Sequence, residues 1–380
     1  MMKVTIAIDS FKGSLSSVEA AKAVREGILQ VYSDADIHIH PIADGGEGTV
    51  DAIVSSLGGE VRTVLVSGPL GENVDAFYGI IKESKTAIME MSSAAGITLI
   101  DESQRNPMNT TTYGVGQMIK DAIESGCRNF VIGIGGSATN DGGIGMLQAL
   151  GFEFLDSDGN QISTGAKGLE DLRIIKTEKS MKELLECRFS IACDVKNPLC
   201  GELGCSRVFA PQKGADEKMI EKMDKWLGIY ADMTKEVLPE SDKDIPGTGA
   251  AGGLGFAFMA YLGGNLVSGI ELVMKESKLE DYIKNSDIVV TGEGRLDGQS
   301  HMGKAPTGVA GLAKKYNIPV VAFSGSVTGD AEICNEYGID AFFPVLRKPC
   351  TLSEAMDKDN AYNNLKDTAK QVFRLIKTFK

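Results

Sequence analysis

The sequence is short of the residues that carry most metal and nucleophile chemistry. Its 380 residues include three histidines, and none has the spacing of a zinc site. No Gly-x-Ser-x-Gly elbow occurs, so a serine-hydrolase triad is not expected. The cysteines number seven, an odd count, and no Cys-x-x-Cys is present. A disulfide framework is therefore not expected, and reduced, mostly buried thiols are. Positive charge is also scarce. Lys plus Arg total 39 against 52 Asp plus Glu, for a net charge of −13. Binding to nucleic acid or to an anionic membrane rests on basic patches, so neither is an expected partner. No apolar run approaches the length of a membrane-spanning helix. Met1 to Asp9 reads as a strand rather than a signal peptide, and a cytoplasmic location is expected.

Glycine is the residue in excess, at 45. It clusters in loops, as where backbone must approach a ligand closely. The length suits two domains. Short β-branched runs at Val4–Ile8, Ile37–Ile42 and Val61–Val66 alternate with helical periodicity over 17–30 and 48–57. The alternation returns near the other end. Strands are predicted at 287–291, 319–323 and 341–345, and helices at 307–316, 331–337 and 353–376. Such alternation predicts a mostly parallel sheet. Each end supplies about three strands, so the two together make one sheet of ordinary size. The expected fold is α/β with two domains. Residues 1–69 plus 286–380 form a discontinuous, parallel-sheet, Rossmann-like α/β/α layer, and 70–285 form an inserted mixed α/β domain. The active site is expected in the cleft between them.

Four Gly-rich loops follow predicted strands or open helices, the positions where ligands bind in open α/β sheets. Asp9-Ser10-Phe11-Lys12-Gly13-Ser14 places a lysine and two hydroxyls at a strand end. Ala43-Asp44-Gly45-Gly46-Glu47-Gly48-Thr49 carries two carboxylates suited either to a magnesium ion or to capping the next helix. Gly133 to Gly143 follows a very apolar strand. Its Gly133-x-Gly135-x-x-Ala138 imitates a dinucleotide fingerprint, with Glu153 at the expected distance. Thr139-Asn140-Asp141-Gly142-Gly143 is a poor opening for the helix that fingerprint needs, so a nest around a polyphosphate fits better. Thr291 to Pro306 holds Arg295, Asp297 and Lys304; its resemblance to a P-loop fails, because Ala305 replaces the required Ser or Thr. Asp194, just past another predicted strand, suits orientation of a substrate hydroxyl or a plain turn before Pro198. Gly247 to Gly255 reads as close packing or as a hinge. These features together point to nucleotide-dependent phosphoryl transfer. The dinucleotide imitation leaves a nicotinamide-dependent dehydrogenase of a small hydroxy acid as the alternative.

At these same residues the chain resembles the bacterial glycerate kinases of the first type from end to end. The matching stretches are Asp9 to Gly13, Ala43 to Thr49, Gly135 to Gly143, Cys193-Asp194-Val195, and Thr291 to Lys304. The resemblance implies ATP-dependent phosphorylation of D-glycerate with Mg²⁺, giving 2-phosphoglycerate in preference to 3-phosphoglycerate. Within that reaction the chemistry of the residues suggests roles. Gly135, Gly136, Ser137, Thr139, Asn140 and Asp141 would cradle the ATP phosphates. Lys12 or Lys304 would neutralise the transferring group, and Ser10 and Arg295 would hold glycerate. Asp194 would accept the hydroxyl proton, with Asp297 second. Asp44 and Glu47 would hold magnesium directly or through water.

Overall fold

The computed structural model describes residues 1–43, 48–300 and 304–379. The chain forms two compact units. One comprises Met1–Asp44, Asp51–Gly58 and Ile270–Lys380, and the other Gly45–Val50 and Gly59–Gly269.

The first unit is built on a five-stranded, wholly parallel sheet. Its order is Ala341–Pro344, Val320–Val327, Ile288–Leu296, Lys3–Ile6, Asp36–Ile39. Such strands are buried on both faces and read as continuous apolar runs, which is how Val4, Ile6, Val289 and Val290 become fully buried. Helix Ser17–Leu29 begins at a capping box in which Ser16 and Glu19 satisfy each other's backbone N–H groups. It packs on helix Lys358–Phe379 so closely that a Cβ on Gly27 would stand 2.3 Å from the carbonyl oxygen of Lys366. The chain runs outward from Lys3–Ile6 to Asp36–Ile39. The other three strands are laid down on the opposite side of Lys3–Ile6. The winding therefore reverses between Lys3–Ile6 and Ile288–Leu296, and ligands of open α/β sheets bind beyond the strand ends at such a point.

The second unit holds a six-stranded mixed sheet, ordered Asn265–Val267, Arg188–Ala192, Asn129–Gly133, Thr86–Glu90, Asn73–Ile81, Glu60–Ser67. The first four are parallel and the last two pairings antiparallel. A separate antiparallel pair, Glu153–Leu155 with Ile174–Lys176, completes it. The expected class, a parallel-sheet layer and a mixed α/β domain, is what the chain adopts.

The expected boundaries need correction. Strand Glu60–Ser67 pairs antiparallel with Asn73–Ile81 and so belongs to the second unit, although β-α alternation had assigned it to the first. The turn 68–72, closed by Gly68 N–H donating to Glu72 O at 2.6 Å, makes the pair a hairpin. Helices Gly269–Glu276 and Leu279–Ile283 fall almost wholly in the first unit rather than the inserted one. The single terminal helix expected over 353–376 is two, Leu352–Met356 and Lys358–Phe379. Asp357 between them is extended (ψ 129°), and its carboxylate accepts the Asn360 N–H at 2.9 Å, restarting the helix. All seven cysteines are free, three buried and four half-buried. Among the described residues no helix is long and apolar enough to cross a membrane.

His40 gives the first unit an acid-sensitive point. Its imidazole is 4% exposed and lies 4.1 Å from the Tyr282 ring, with no partner for Nδ1 among the described residues. Burial, aided by neighbouring His38, pushes its pKa down to about 4. Between pH 6.5 and about 4 the unfolded chain therefore binds the extra proton and the folded chain does not. Stability is expected to fall by about 2–3 kcal/mol as pH drops through that window. Urea midpoints at pH 7 and pH 4.5 would show this loss, and His40→Leu should shrink it.

Candidate functional site

In the first unit a cavity of about 370 Å³ opens beyond the strand ends at the winding reversal. Asp9, Ser10 and Lys12 reach it from the loop after Lys3–Ile6, and Glu293, Arg295 and Asp297 from the end of Ile288–Leu296 and the residue beyond it. The loop is shaped by local chemistry. Phe11 and Leu15 are buried and bonded to each other through Phe11 N–H to Leu15 O at 2.8 Å, and Gly13 turns the chain at φ +82°. Those apolar anchors leave Ser10 and Lys12 facing the cavity. Gly294 allows the strand to pass beneath, since a Cβ there would lie 3.3 Å from Lys12 N.

Asp297 is the hub of this cavity. Its carboxylate lies 3.4 Å from Arg295 Nε and 3.5 Å from Lys304 Nζ, and its side chain is 20% exposed. It also accepts the Gln299 N–H at 3.0 Å. Ser300 donates its hydroxyl to Glu293 at 2.6 Å, which fixes a second carboxylate in the wall. Lys304 is the N-cap of helix Ala305–Lys314, whose first turn contains Pro306. Five of the residues expected from the sequence thus line one cavity: Ser10, Lys12, Arg295, Asp297 and Lys304. Asp9 and Glu293 join them. Both stood inside recognisable motifs, but nothing in their spacing marked them as cavity walls.

In the second unit the other candidates gather along the carboxyl edge of the sheet. Gly133 is in register with Glu90 on one side and Ala192 on the other. The loop after Gly133 and Asp194 after Ala192 therefore leave from neighbouring strands. Asp194 is exposed and accepts the Gly269 N–H, which opens a helix, at 3.1 Å. Glu90, which the sequence did not single out, is buried and accepts the Val50 N–H at 3.0 Å.

The loop divides into a tip and an anchor. Gly135 and Gly136 are exposed and Ser137 is half-buried, while Thr139, Asn140 and Asp141 are fully buried. Asp141 accepts the Thr112 N–H at 2.8 Å, the Thr112 hydroxyl at 2.9 Å, the Gly143 N–H at 3.0 Å and the Gly145 N–H at 3.4 Å. Burial pushes its carboxyl upward, against those donors, which favour the charged form. Asn140 donates to Ser206 Oγ at 2.8 Å. These two side chains hold the loop from within, and the backbone of 135–137 is the part open to a ligand. The loop runs on to Gly143 before helix Ile144–Ala149 begins, so the helix that a dinucleotide fingerprint requires does not follow Ala138. Glu153 is paired with Lys179 at 2.8 Å. The Gly247–Gly255 segment is packed: a Cβ on Gly249 would lie 2.2 Å from Pro198 O, and one on Gly255 2.2 Å from Gly247 O.

Asp44 and Glu47, the expected magnesium ligands, lie outside the described residues. Among the described residues no group of three or more His, Cys, Asp and Glu is arranged to hold a metal.

A doubly wound sheet with a charged cavity at its reversal, in a chain whose other unit carries a Gly-rich loop at a strand end, is the architecture of an α/β enzyme for small charged molecules. The family model described as "Glycerate kinase family" matches residues 4–377, and the chain belongs to that family, whose members are phosphotransferases with an alcohol group as acceptor. It is 48% identical over 364 residues to glycerate 2-kinase of Escherichia coli K12, covering 96% of this chain and 95% of that one. It is 42% identical to glycerate kinase of Bacillus subtilis 168, over 100% of this chain and 99% of the other. A crystal structure from Salmonella typhimurium LT2, of a chain assigned as glycerate kinase 2, superposes with a TM-score of 0.91 at 45% identity, covering 99% and 98% of the two chains.

Proposed function

We propose that this enzyme transfers the γ-phosphoryl group of ATP to the 2-hydroxyl of D-glycerate, with Mg²⁺, in the cytoplasm. The observation that carries the reading is the convergence of Lys12, Arg295 and Lys304 on one cavity at the winding reversal, in a chain of this family. A three-carbon acid with one carboxylate matches the guanidinium fork of Arg295. Lys12 and Lys304 offset the charge that grows on the transferring group. The backbone N–H groups at the 135–137 tip bind ATP phosphates, as successive amides in a Gly-rich loop do. Asp194 takes the hydroxyl proton, and Asp297 is the second candidate for that role. The preference for the 2-hydroxyl is supported by the relative named as a glycerate 2-kinase.

The donor chemistry suits magnesium. Asp9, Glu293 and Asp297 offer only carboxylate oxygens to the cavity, and Mg²⁺ is held by one or two carboxylates plus substrate phosphates rather than by a closed protein cage. Asp44 and Glu47 remain its proposed ligands from the sequence. The ion, when bound, offsets charge between the phosphoryl oxygens of ATP.

³¹P NMR of the protein with ATP, Mg²⁺ and D-glycerate tests the reading. A new phosphomonoester signal split by one proton is the expected product, 2-phosphoglycerate. Splitting by two protons would move the acceptor to the 3-hydroxyl. A spectrum holding only ATP would remove the kinase assignment.

A further inference from the structure

Lys213 is one of the chain's most deeply buried charged side chains, at 2% exposure. It sits on the short turn Pro211–Lys213, and its ammonium reaches beneath the Gly-rich loop of the same unit. Nζ donates to Ser137 Oγ at 2.7 Å and to the Thr139 carbonyl at 2.7 Å. No carboxylate among the described residues forms an ion pair with it, and the neighbours that favour its charged form are the Cys205 thiol and then Asp141. A buried cation without a carboxylate partner is costly, and it is retained where something else gains from the charge. Burial lowers the Lys213 pKa to about 8, so at neutral pH the group is still mostly an ammonium.

The direction of one hydrogen bond has a chemical consequence. An ammonium can only donate, so Ser137 Oγ must accept. The hydroxyl proton of Ser137 is then turned away from Lys213, on a residue that adjoins exposed Gly135 and Gly136. The second bond holds the Thr139 carbonyl inward, and at the tip itself the Gly136 carbonyl accepts the Ile97 N–H at 2.9 Å.

We propose that Lys213 is a positioning residue that makes the 135–137 tip an anion site: it fixes the Ser137 hydroxyl as an outward donor and sets a positive charge beneath the bound phosphate. The proposal rests on the reading that this loop takes the phosphates of ATP. Lys213 itself carried no signal in the sequence, where it is one of 39 Lys and Arg.

The test is calorimetric titration of Mg·ATP into the wild type, Lys213→Met and Ser137→Ala, with Michaelis constants for ATP and for glycerate measured alongside. ATP binding is expected to weaken about 10–100-fold in Lys213→Met, the range of one hydrogen bond to a charged group. A smaller loss is expected in Ser137→Ala, with the glycerate KM unchanged in both. The double variant should bind ATP no worse than Lys213→Met alone, because both changes remove one device. A general structural role would lower thermal stability and move both Michaelis constants together. Unchanged ATP affinity in Lys213→Met, or a rise in the glycerate KM alone, would overturn the proposal. If Lys213→Met fails to fold, Ser137→Ala decides the matter, since it leaves the lysine in place; unchanged ATP affinity there is fatal to the idea. A wild type that binds ATP but forms no phosphoglycerate refutes the proposed reaction while leaving the role of Lys213 to stand or fall on the variants.

Discussion

Asp297→Asn is expected to lower kcat/KM for D-glycerate by about 10²–10³-fold, the range for loss of one fixed electrostatic contact in an active site, while folding normally. The substitution keeps the shape and one acceptor, so the Gln299 N–H retains its partner. What it removes is the negative charge between Arg295 and Lys304. That charge has two uses in the proposed reaction. As a base, Asp297 would take the hydroxyl proton in place of Asp194, the first candidate. As a spacer, it holds two cations that would otherwise repel each other at the distances set by the strand and the helix start. The two uses separate on measurement. Loss of the base lowers kcat with little change in glycerate KM, whereas loss of the spacer raises that KM. Asp194→Asn provides the comparison, because Asp194 is the first candidate for the base. If Asp297→Asn keeps near-normal kcat and KM, neither use is real. If Asp194→Asn alone loses turnover, the base lies on the second unit's sheet edge.

Gly252→Ala should destabilise the protein by about 2–5 kcal/mol, through a left-handed backbone and a forced contact. Ala251, Gly252 and Gly253 all have positive φ (51°, 67° and 93°), where the helix ending at Leu262 is assigned its start. A Cβ on Gly252 would lie 2.1 Å from the Thr139 carbonyl oxygen and 2.6 Å from Asn140 Cα. Both are backbone atoms of the loop that Asp141 anchors, and neither can swing aside as a side-chain end would. The Gly252 carbonyl also accepts the Gly142 N–H at 2.9 Å. The strain on the loop should therefore show in ATP affinity as well as in the urea midpoint. Ala251→Gly, one residue earlier, is the opposite case. It relieves a left-handed alanine and is expected to raise stability by up to about 1 kcal/mol. A Gly252→Ala protein as stable as the wild type would show that the turn can rearrange.

Much of this was legible in the sequence, for identifiable reasons. The helical periodicity over 17–30 marked a helix that the structure repeats as Ser17–Leu29. The apolar runs around Val4 and Val289 marked strands covered on both faces, and the loops after them proved to border one cavity. Local pattern failed where tertiary pairing decided the outcome. Nothing within Glu60–Ser67 says whether its partner is parallel or antiparallel; only the turn that follows does. The helical pattern before Leu262 gave no warning of three left-handed residues at its head, because glycine tolerates either hand. Lys213 and Glu90 were invisible because their meaning lies in what they touch. A lysine becomes unusual only once its ammonium is known to be buried.

The interrupted path of the chain through its two sheets orders events at the ribosome. Strand Lys3–Ile6 is made first, yet Val4 pairs with Ile288. The whole of Gly59–Gly269 emerges between those partners and is complete before Ile288 exists. Domains generally fold as units during synthesis, and distant pairings wait on both ends. The inserted unit should therefore reach its native state on the nascent chain, while the first strand has Asp36–Ile39 at hand but still lacks its Ile288–Leu296 neighbour. A ribosome stalled with Gly269 just outside the exit tunnel should carry a protease-resistant middle and a protease-sensitive amino terminus. Such a chain would already possess its Gly-rich loop, with the lysine beneath it, before the cavity of the other sheet could form.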